Sequence, residues 1–356
     1  MKKSIIALSV LAAVAGGAQA QSSVTIYGVI DMALQHQNTG EPAGSTLALD
    51  SGIQSGSRLG FKGTEDLGGG LKANFQLEMG INADNGRSAQ GGVTFGRQAW
   101  VGLSGDFGAV TMGRQYSPLF IAVDTVDPFG TGLTTGTAGS GTSTLGLGSY
   151  AIDLGGNAIR VNNSIAYNTN SIEGFTGTLM YGFGETAGNT TAGRYIGLGG
   201  TYAAGPLTAV LVYSAKQNAA GNNNNKGIFA GATYNFGEVT GHVAFAKNSD
   251  DGVGAAALDR RVWMLGATVP VGAGSIMASY TRTTNQNSLL KAADGSHFGI
   301  GYSYALSKRT NWYTSISRAA NDANASFGSA DSEPGFHPVP GGATVRLFNV
   351  GIRHKF

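Results

Sequence analysis

Cysteine is absent from the 356 residues. Neither a disulfide nor a thiolate metal site can carry this structure. Proline is scarce, at eight residues, and charge is thin, at 12% of the chain. Soluble domains carry about twice that share. A basic stripe is missing too. The 23 Lys and Arg are balanced by 21 Asp and Glu, which argues against a nucleic-acid partner. After residue 20 no stretch stays apolar over the ~18 residues that a spanning helix needs. Histidines number five: His36, His242, His297, His337 and His354. None stands in a recognisable constellation with Ser and Asp, or at helical zinc spacing, and G-x-S-x-G does not occur. Hydrolytic chemistry has no candidate nucleophile and base. Residues 221–227 look like a phosphate loop, but glycine and lysine are transposed and the context is a connection between strands. They read as a hydrophilic outer loop. No cofactor or metal is expected.

What is present begins with an export signal. Lys2 and Lys3 precede an apolar run over residues 5–15, and Ala18-Gln19-Ala20 forms an A-x-A site. Residues 1–20 read as a signal peptide cleaved before Gln21, so the chain is exported. Residues 21–356 then form one domain. Without Lys2 and Lys3 its basic and acidic residues balance.

Residues 57–81 show the repeating unit. Leu71, Ala73, Phe75, Leu77, Met79 and Ile81 are apolar, and Lys72, Asn74, Gln76 and Glu78 between them are not. Period-2 alternation describes a strand with one wet and one apolar face. Leu59 and Phe61 alternate likewise with Arg58 and Lys62, and residues 65–70 are rich in turn formers. This is a hairpin whose strands have the length a tilted strand needs to cross a bilayer. Similar segments occupy 24–34, 95–103, 109–116, 159–167, 175–183, 194–202, 207–216, 227–236, 239–247, 261–269, 275–282, 296–306, 310–318 and 343–356.

Short connections (203–206, 237–238, 270–274, 307–309) take turns with long polar ones (184–193, 217–226, 248–260, 283–295, 319–342). That pattern marks an up-and-down barrel with tight turns at one rim and loops at the other. Sixteen strands are counted, an even number, which brings both chain ends to one rim. In lipid the sheet must close, because an open edge would leave backbone groups unpaired. The expected fold is all-β: a sixteen-stranded antiparallel transmembrane β-barrel. Residues 117–158 break the alternation. A loop that long is usually functional, and its first residues, 117–123, can form a short helix. At the chain end Phe348, Val350, Ile352 and Phe356 share one face, with Asn349 and Arg353 opposite.

SSVTIYGVIDMAL, SRLGFKGTEDLGGGLKANFQLEMG, FGRQAWVGLSGDFGAVTMGRQY, the Asp-Pro-Phe-Gly of the long loop, SIAYNT and the terminal Phe together resemble the general-diffusion porins of the outer membrane of β-proteobacteria. The likeness covers essentially the whole mature chain. It implies a homotrimer in the cell outer membrane, among its lipid and lipopolysaccharide. Short turns would be periplasmic, long loops outside, and the third loop (117–158) folded inward as a constriction. It implies passive diffusion of small hydrophilic solutes and ions, without cofactor, and a terminal Phe356 that serves as the outer-membrane assembly signal.

If apolar faces point to lipid, the alternate residues line the water path. Arg58, Lys62, Lys72, Asn74, Gln76, Glu78, Arg160, Asn162 and Ser164 are inward candidates. An arginine aimed at lipid at the midplane would cost roughly 2–4 kcal/mol. Strict alternation puts Arg97 on the face of Ala99 and Val101, so either it lies beyond the lipid band or a bulge reverses it; Arg114 poses a similar difficulty. The family pattern sets a basic wall against acidic residues of the inward loop. By position the resemblance carries to Arg58, Arg97 and Arg160, with Glu78 and either Asp124 or Asp127 opposing; Asp127, beside Pro128-Phe129-Gly130, fits slightly better. An excess of basic groups there favours anions. Two other readings stand beside this one. A surface-interaction barrel such as an adhesin would have a plugged or loop-poor lumen, and a substrate-specific channel would carry aromatic or basic ladders along its length.

Overall fold

The computed structural model describes residues 23–40, 44–134, 147, 151, 158–254, 257–327 and 339–356. The expected signal peptide lies outside the described residues, as does most of the expected constriction loop beyond residue 134.

Sixteen antiparallel strands close into a barrel. They are β1 (Ser23–Asn38), β2 in two segments (Ser45–Ser51 and Arg58–Gly68), β3 (Leu71–Asn82), β4 (Gln98–Gly105), β5 (Gly108–Tyr116), β6 (Arg160–Asn168), β7 (Phe175–Gly182) and β8 (Tyr195–Ala204). They continue as β9 (Leu207–Gln217), β10 (Asn224–Asn235), β11 (Thr240–Ser249), β12 (Asp259–Val271), β13 (Gly274–Asn285), β14 (Gly295–Ala305), β15 (Thr310–Asn321) and β16 (Thr344–Lys355). A two-residue ladder at Arg87–Ser88 is set apart from this wall. Each strand pairs with its neighbours in the chain, and β1 pairs with β16 to close the cylinder. The last residue completes the closure: Phe356 and Gly28 exchange two backbone hydrogen bonds of 3.1 Å. Closure spares the sheet an edge facing lipid, where unpaired backbone groups would be costly.

The second strand departs from expectation. Residues 45–51, which lie outside the segments of strand alternation, pair with the upper half of β1, and Arg58–Gly68 pairs with the lower half. Between the two segments the chain leaves the wall. Asp31 holds that break, its carboxylate accepting the Gln54 and Ser55 N–H groups at 2.7 and 2.6 Å.

The two faces follow the alternation. Ile26, Ile30 and Leu34 are exposed on the outside of β1, whereas Val29, Asp31 and Ala33 are buried inside. In β6 the expected faces of Val161 and Asn162 are exchanged. Gly113 faces Ser164 but Gln115 faces Val161, so one extra residue sits on the β6 side. Asn163 adopts φ +50° there, Val161 is buried and Asn162 is exposed.

The largest apolar core lies inside the barrel. Val210, Val212, Phe229, Ala244, Ala246, Val262 and Met264, from β9 to β12, face inward and are buried. They are covered by helix α1 (Pro118–Val126), whose Leu119, Ala122, Val123 and Val126 pack on them. Strands buried on both faces lose their polar alternation, which explains the apolar inner positions of β9, β10 and β12.

Candidate pore constriction

Helix α1 begins where the sequence supplies a cap. Ser117 Oγ accepts the Phe120 N–H at 3.1 Å, and Pro118 takes the first turn, where no N–H is needed. The far end is pinned to the wall: His242 Nδ1 lies 2.7 Å from the Val126 carbonyl oxygen, and Leu133 N–H donates to the Ile53 carbonyl at 2.6 Å. Glycines let the loop lie close. A Cβ on Gly266 would fall 2.6 Å from Pro128 Cγ, and one on Gly231 would fall 2.9 Å from Val126 Cγ2.

The loop and the opposite wall enclose a 360 Å³ cavity. Arg58, Arg97, Arg160 and Arg353 line it, and among the described residues Asp124 is its one carboxylate. Three of these arginines and Asp124 were expected at the narrowing. Arg353 was not named for it, although alternation in the last strand already put it opposite the outer face.

Arg97 reaches the lumen through a local irregularity. Glu78 faces Gln98 in the β3–β4 register, yet the Glu78 carbonyl accepts the Arg97 N–H at 3.1 Å. The strand starts at Gln98 rather than 95, and Arg97 escapes the outward face of Ala99 and Val101. Its guanidinium Nε lies 2.8 Å from Glu78 Oε1. Both are buried, at 5% and 2% exposure. Glu78 therefore neutralises the wall instead of opposing it, and its other oxygen accepts the Tyr27 hydroxyl at 2.8 Å.

Tyr116 joins the arginines. Its hydroxyl accepts from Arg97 Nη2 at 2.6 Å and from Arg160 Nη2 at 3.1 Å. The Arg160 guanidinium lies over the Tyr116 ring at 4.7 Å, and Phe120 stacks on that ring at 4.6 Å. Arg58 is held by the Gly56 carbonyl at 2.9 Å and by Ser55 Oγ. No alternation signal points to Tyr116, because the bulge beside it decides its direction.

The two loop aspartates separate by role. Asp127 is buried, its oxygens accepting the N–H groups of Phe129 and Thr131, both at 3.1 Å. It shapes the turn and does not line the cavity, contrary to the preference for it. Asp124 faces the arginines and accepts the Thr131 hydroxyl at 2.9 Å. Although lumen water reaches it, enclosing protein raises its carboxyl above the ordinary range, more than Thr131, Arg58 and Arg97 lower it.

Lys72 does not belong to the constriction. It is exposed, faces Asp66 and Ser104, and lies six residues from Glu78, about 20 Å along the strand. Arg114 stays out of the cavity as well. Its Nε donates to the Gly96 carbonyl at 2.8 Å, and Nη1 bonds Asn162.

The described residues contain no cluster of three or more His, Asp or Glu that could hold a metal, and no helix long and apolar enough to cross a membrane. Comparison with known proteins agrees with the strand architecture. The Gram-negative porin family model matches residues 7–324. The chain is 37% identical to outer membrane porin protein 32 of Delftia acidovorans and 31% identical to an outer membrane porin protein of Bordetella pertussis, over the full length of both partners in each case. Among solved structures, an anion-selective porin from Comamonas acidovorans superposes with TM-score 0.77 at 32% identity, covering 94% of this chain and all of that one. OmpT of Vibrio cholerae in its trimer form superposes with TM-score 0.69 at 16% identity, over 94% and 99% of the two chains, a likeness of fold alone. The chain belongs to the Gram-negative porin family and is a β-barrel channel of the outer membrane.

Proposed function

We propose that this porin is a water-filled diffusion pore that prefers anions. One observation carries the reading: among the described residues, four guanidiniums and one carboxylate line the narrowing. Arg97 is largely neutralised by Glu78, so Arg58, Arg160 and Arg353 supply the excess. Opposed charges across a narrow wet gap set up a transverse field, and the excess sign raises the local concentration of counter-ions. Basic lining continues below. A second cavity of 560 Å³ is bordered by Arg353, Lys355, Arg309 and Lys308, with no carboxylate among its described lining residues. The anion-selective Comamonas relative supports the same sign.

The finer parts of the proposal rest on the resemblance. Residues 1–20 are removed on export, residues 117–158 act as the constriction loop, and the channel works as a homotrimer among outer-membrane lipid and lipopolysaccharide. Phe356 serves as the assembly signal, and its exposed ring beside the closing hydrogen bonds supports that role.

The test is the zero-current potential of single channels in a salt gradient. Anion preference that weakens on Arg160→Glu is expected. Cation preference, or no response to Arg160→Glu, overturns the selectivity reading; absence of conductance overturns the pore.

A further inference from the structure

The break in β2 borders the narrowing. Gln54, Ser55 and Gly56 line the cavity beside Arg58, together with residues of helix α1 and the turn after it. Break and loop also touch. Leu133 N–H donates to the Ile53 carbonyl, and a Cβ on Gly132 would collide with the Gln54 carbonyl oxygen.

One residue outside the cavity grips the break along its length. The Asp31 carbonyl accepts the Gly52 N–H at 2.9 Å. Its carboxylate accepts the Gln54 and Ser55 N–H groups at 2.7 and 2.6 Å, and its own N–H donates to Ser57 Oγ at 3.0 Å. The other carboxylate oxygen accepts the Tyr313 hydroxyl of β15 at 2.5 Å. To reach it, the Tyr313 ring crosses Gly351 of β16, where a Cβ would collide with the ring. Asp31 and Tyr313 are both wholly buried, so neither meets a passing ion. A buried carboxylate is tolerated when its oxygens are hydrogen-bonded, and both oxygens of Asp31 are.

Two lumen cations are anchored on the break. Arg58 donates through Nε to the Gly56 carbonyl and through Nη2 to Ser55 Oγ. Gln54 Oε1 accepts Asn311 Nδ2 at 2.8 Å, and Asn311 Oδ1 accepts Arg353 Nε at 3.0 Å. Neither guanidinium has a carboxylate within ion-pair distance among the described residues. Their positions therefore follow the break.

We propose that Asp31 is a positioning residue for ion selectivity: with Tyr313 it fixes residues 52–57, and these set Arg58 and Arg353 in the water path. The proposal deepens the anion-pore reading and rests on it. It also makes a counter-intuitive prediction. Asp31→Ala deletes a negative charge yet lowers anion preference, because two guanidiniums lose their seats. A carboxylate acting through its field alone would do the reverse.

The experiment measures the chloride-to-potassium permeability ratio from zero-current potentials of single channels of the mature chain. Asp31→Ala is expected to lower the ratio roughly threefold, the worth of one unit charge beside a wet path. Asp31→Asn keeps an acceptor for the two N–H groups and is expected to leave the ratio at or slightly above the native one. In an Arg58→Gln/Arg353→Gln chain, adding Asp31→Ala is expected to change nothing more, the coupling that residues acting through one another show. A rise in the ratio with Asp31→Ala, an equal fall with Asp31→Asn, or additive effects in the combined chain overturns the proposal. A less stable Asp31→Ala barrel with an unchanged ratio overturns it too, in favour of a purely structural role. If Asp31→Ala yields no barrel, Tyr313→Phe removes a single oxygen from the hold. A fall in the ratio that vanishes without Arg58 and Arg353 is then expected, and an unchanged ratio overturns the proposal. The native ratio by itself tests the anion reading; the coupling of Asp31 to the two arginines tests this proposal, whatever the sign of that ratio.

Discussion

Glu78 and Arg97 meet at 2.8 Å in the wall of the narrowing, each almost wholly buried. The pair removes one positive charge from the field that ions meet. Breaking it leaves a buried charge unpaired, which costs roughly 3–5 kcal/mol. Arg97→Ala is therefore expected to lower the thermal stability of the barrel, measured by loss of β-sheet circular dichroism. Glu78→Gln is expected to keep the hydrogen bond and raise anion preference. An Arg97→Ala barrel as stable as the native one would show that the pair is solvated.

The two loop aspartates predict different phenotypes. Asp124→Asn removes the carboxylate that lines the cavity, so anion preference should rise in the zero-current potential. Asp127→Ala removes the acceptor for the Phe129 and Thr131 N–H groups. Its effect should be on conductance noise, with selectivity little changed. If Asp127→Ala shifts selectivity more than Asp124→Asn, the assignment of roles is reversed.

Asp124 also predicts a pH dependence. Its carboxyl is raised above the ordinary range, chiefly by burial. Its free-chain value is about 3.9. As pH falls through the raised value, Asp124 loses its charge and anion preference should climb. The stability sign follows: a raised carboxyl favours the folded state most below its free-chain value, and that contribution is lost as pH rises through the folded value. Asp124→Asn should therefore stabilise the loop at neutral pH and abolish this step in the selectivity-against-pH curve. A step that persists in Asp124→Asn belongs to another group.

Close approach of the loop to the wall gives a steric prediction. Gly266→Val places a side chain where Pro128 sits, since even a Cβ would come within 2.6 Å of its ring. Overpacking of this kind costs about 1–3 kcal/mol. The wall cannot retreat without breaking its ladder, so the loop must move into the lumen. Single-channel conductance should fall, and Gly200→Val, with open space at its Cβ, is the control expected to conduct normally.

Alternation along single strands was enough to read a closed sixteen-stranded barrel, to put Arg58 on the face of Gly60 and Lys62, and to bring both chain ends to one rim. Those properties are local: a side chain's face follows from its parity, and closure follows from the cost of an open edge in lipid. The inward face of Val212 and Phe229 was less legible, because a strand covered on both sides carries no polar signal. The parity rule failed at Arg97 because the strand starts only at Gln98, and at Val161 because a register shift adds one residue to that side of the pair. Only the tertiary structure decided which charges meet. Arg58 and Arg353 come from opposite ends of the chain and share a cavity because β1 pairs with both of their strands. Asp124 and not Asp127 faces them because the docked helix turns its apolar residues to β9–β12 and leaves Asp124 toward the water. Depth along the barrel axis and distance across the lumen depend on all the registers at once, and no single strand's sequence contains them.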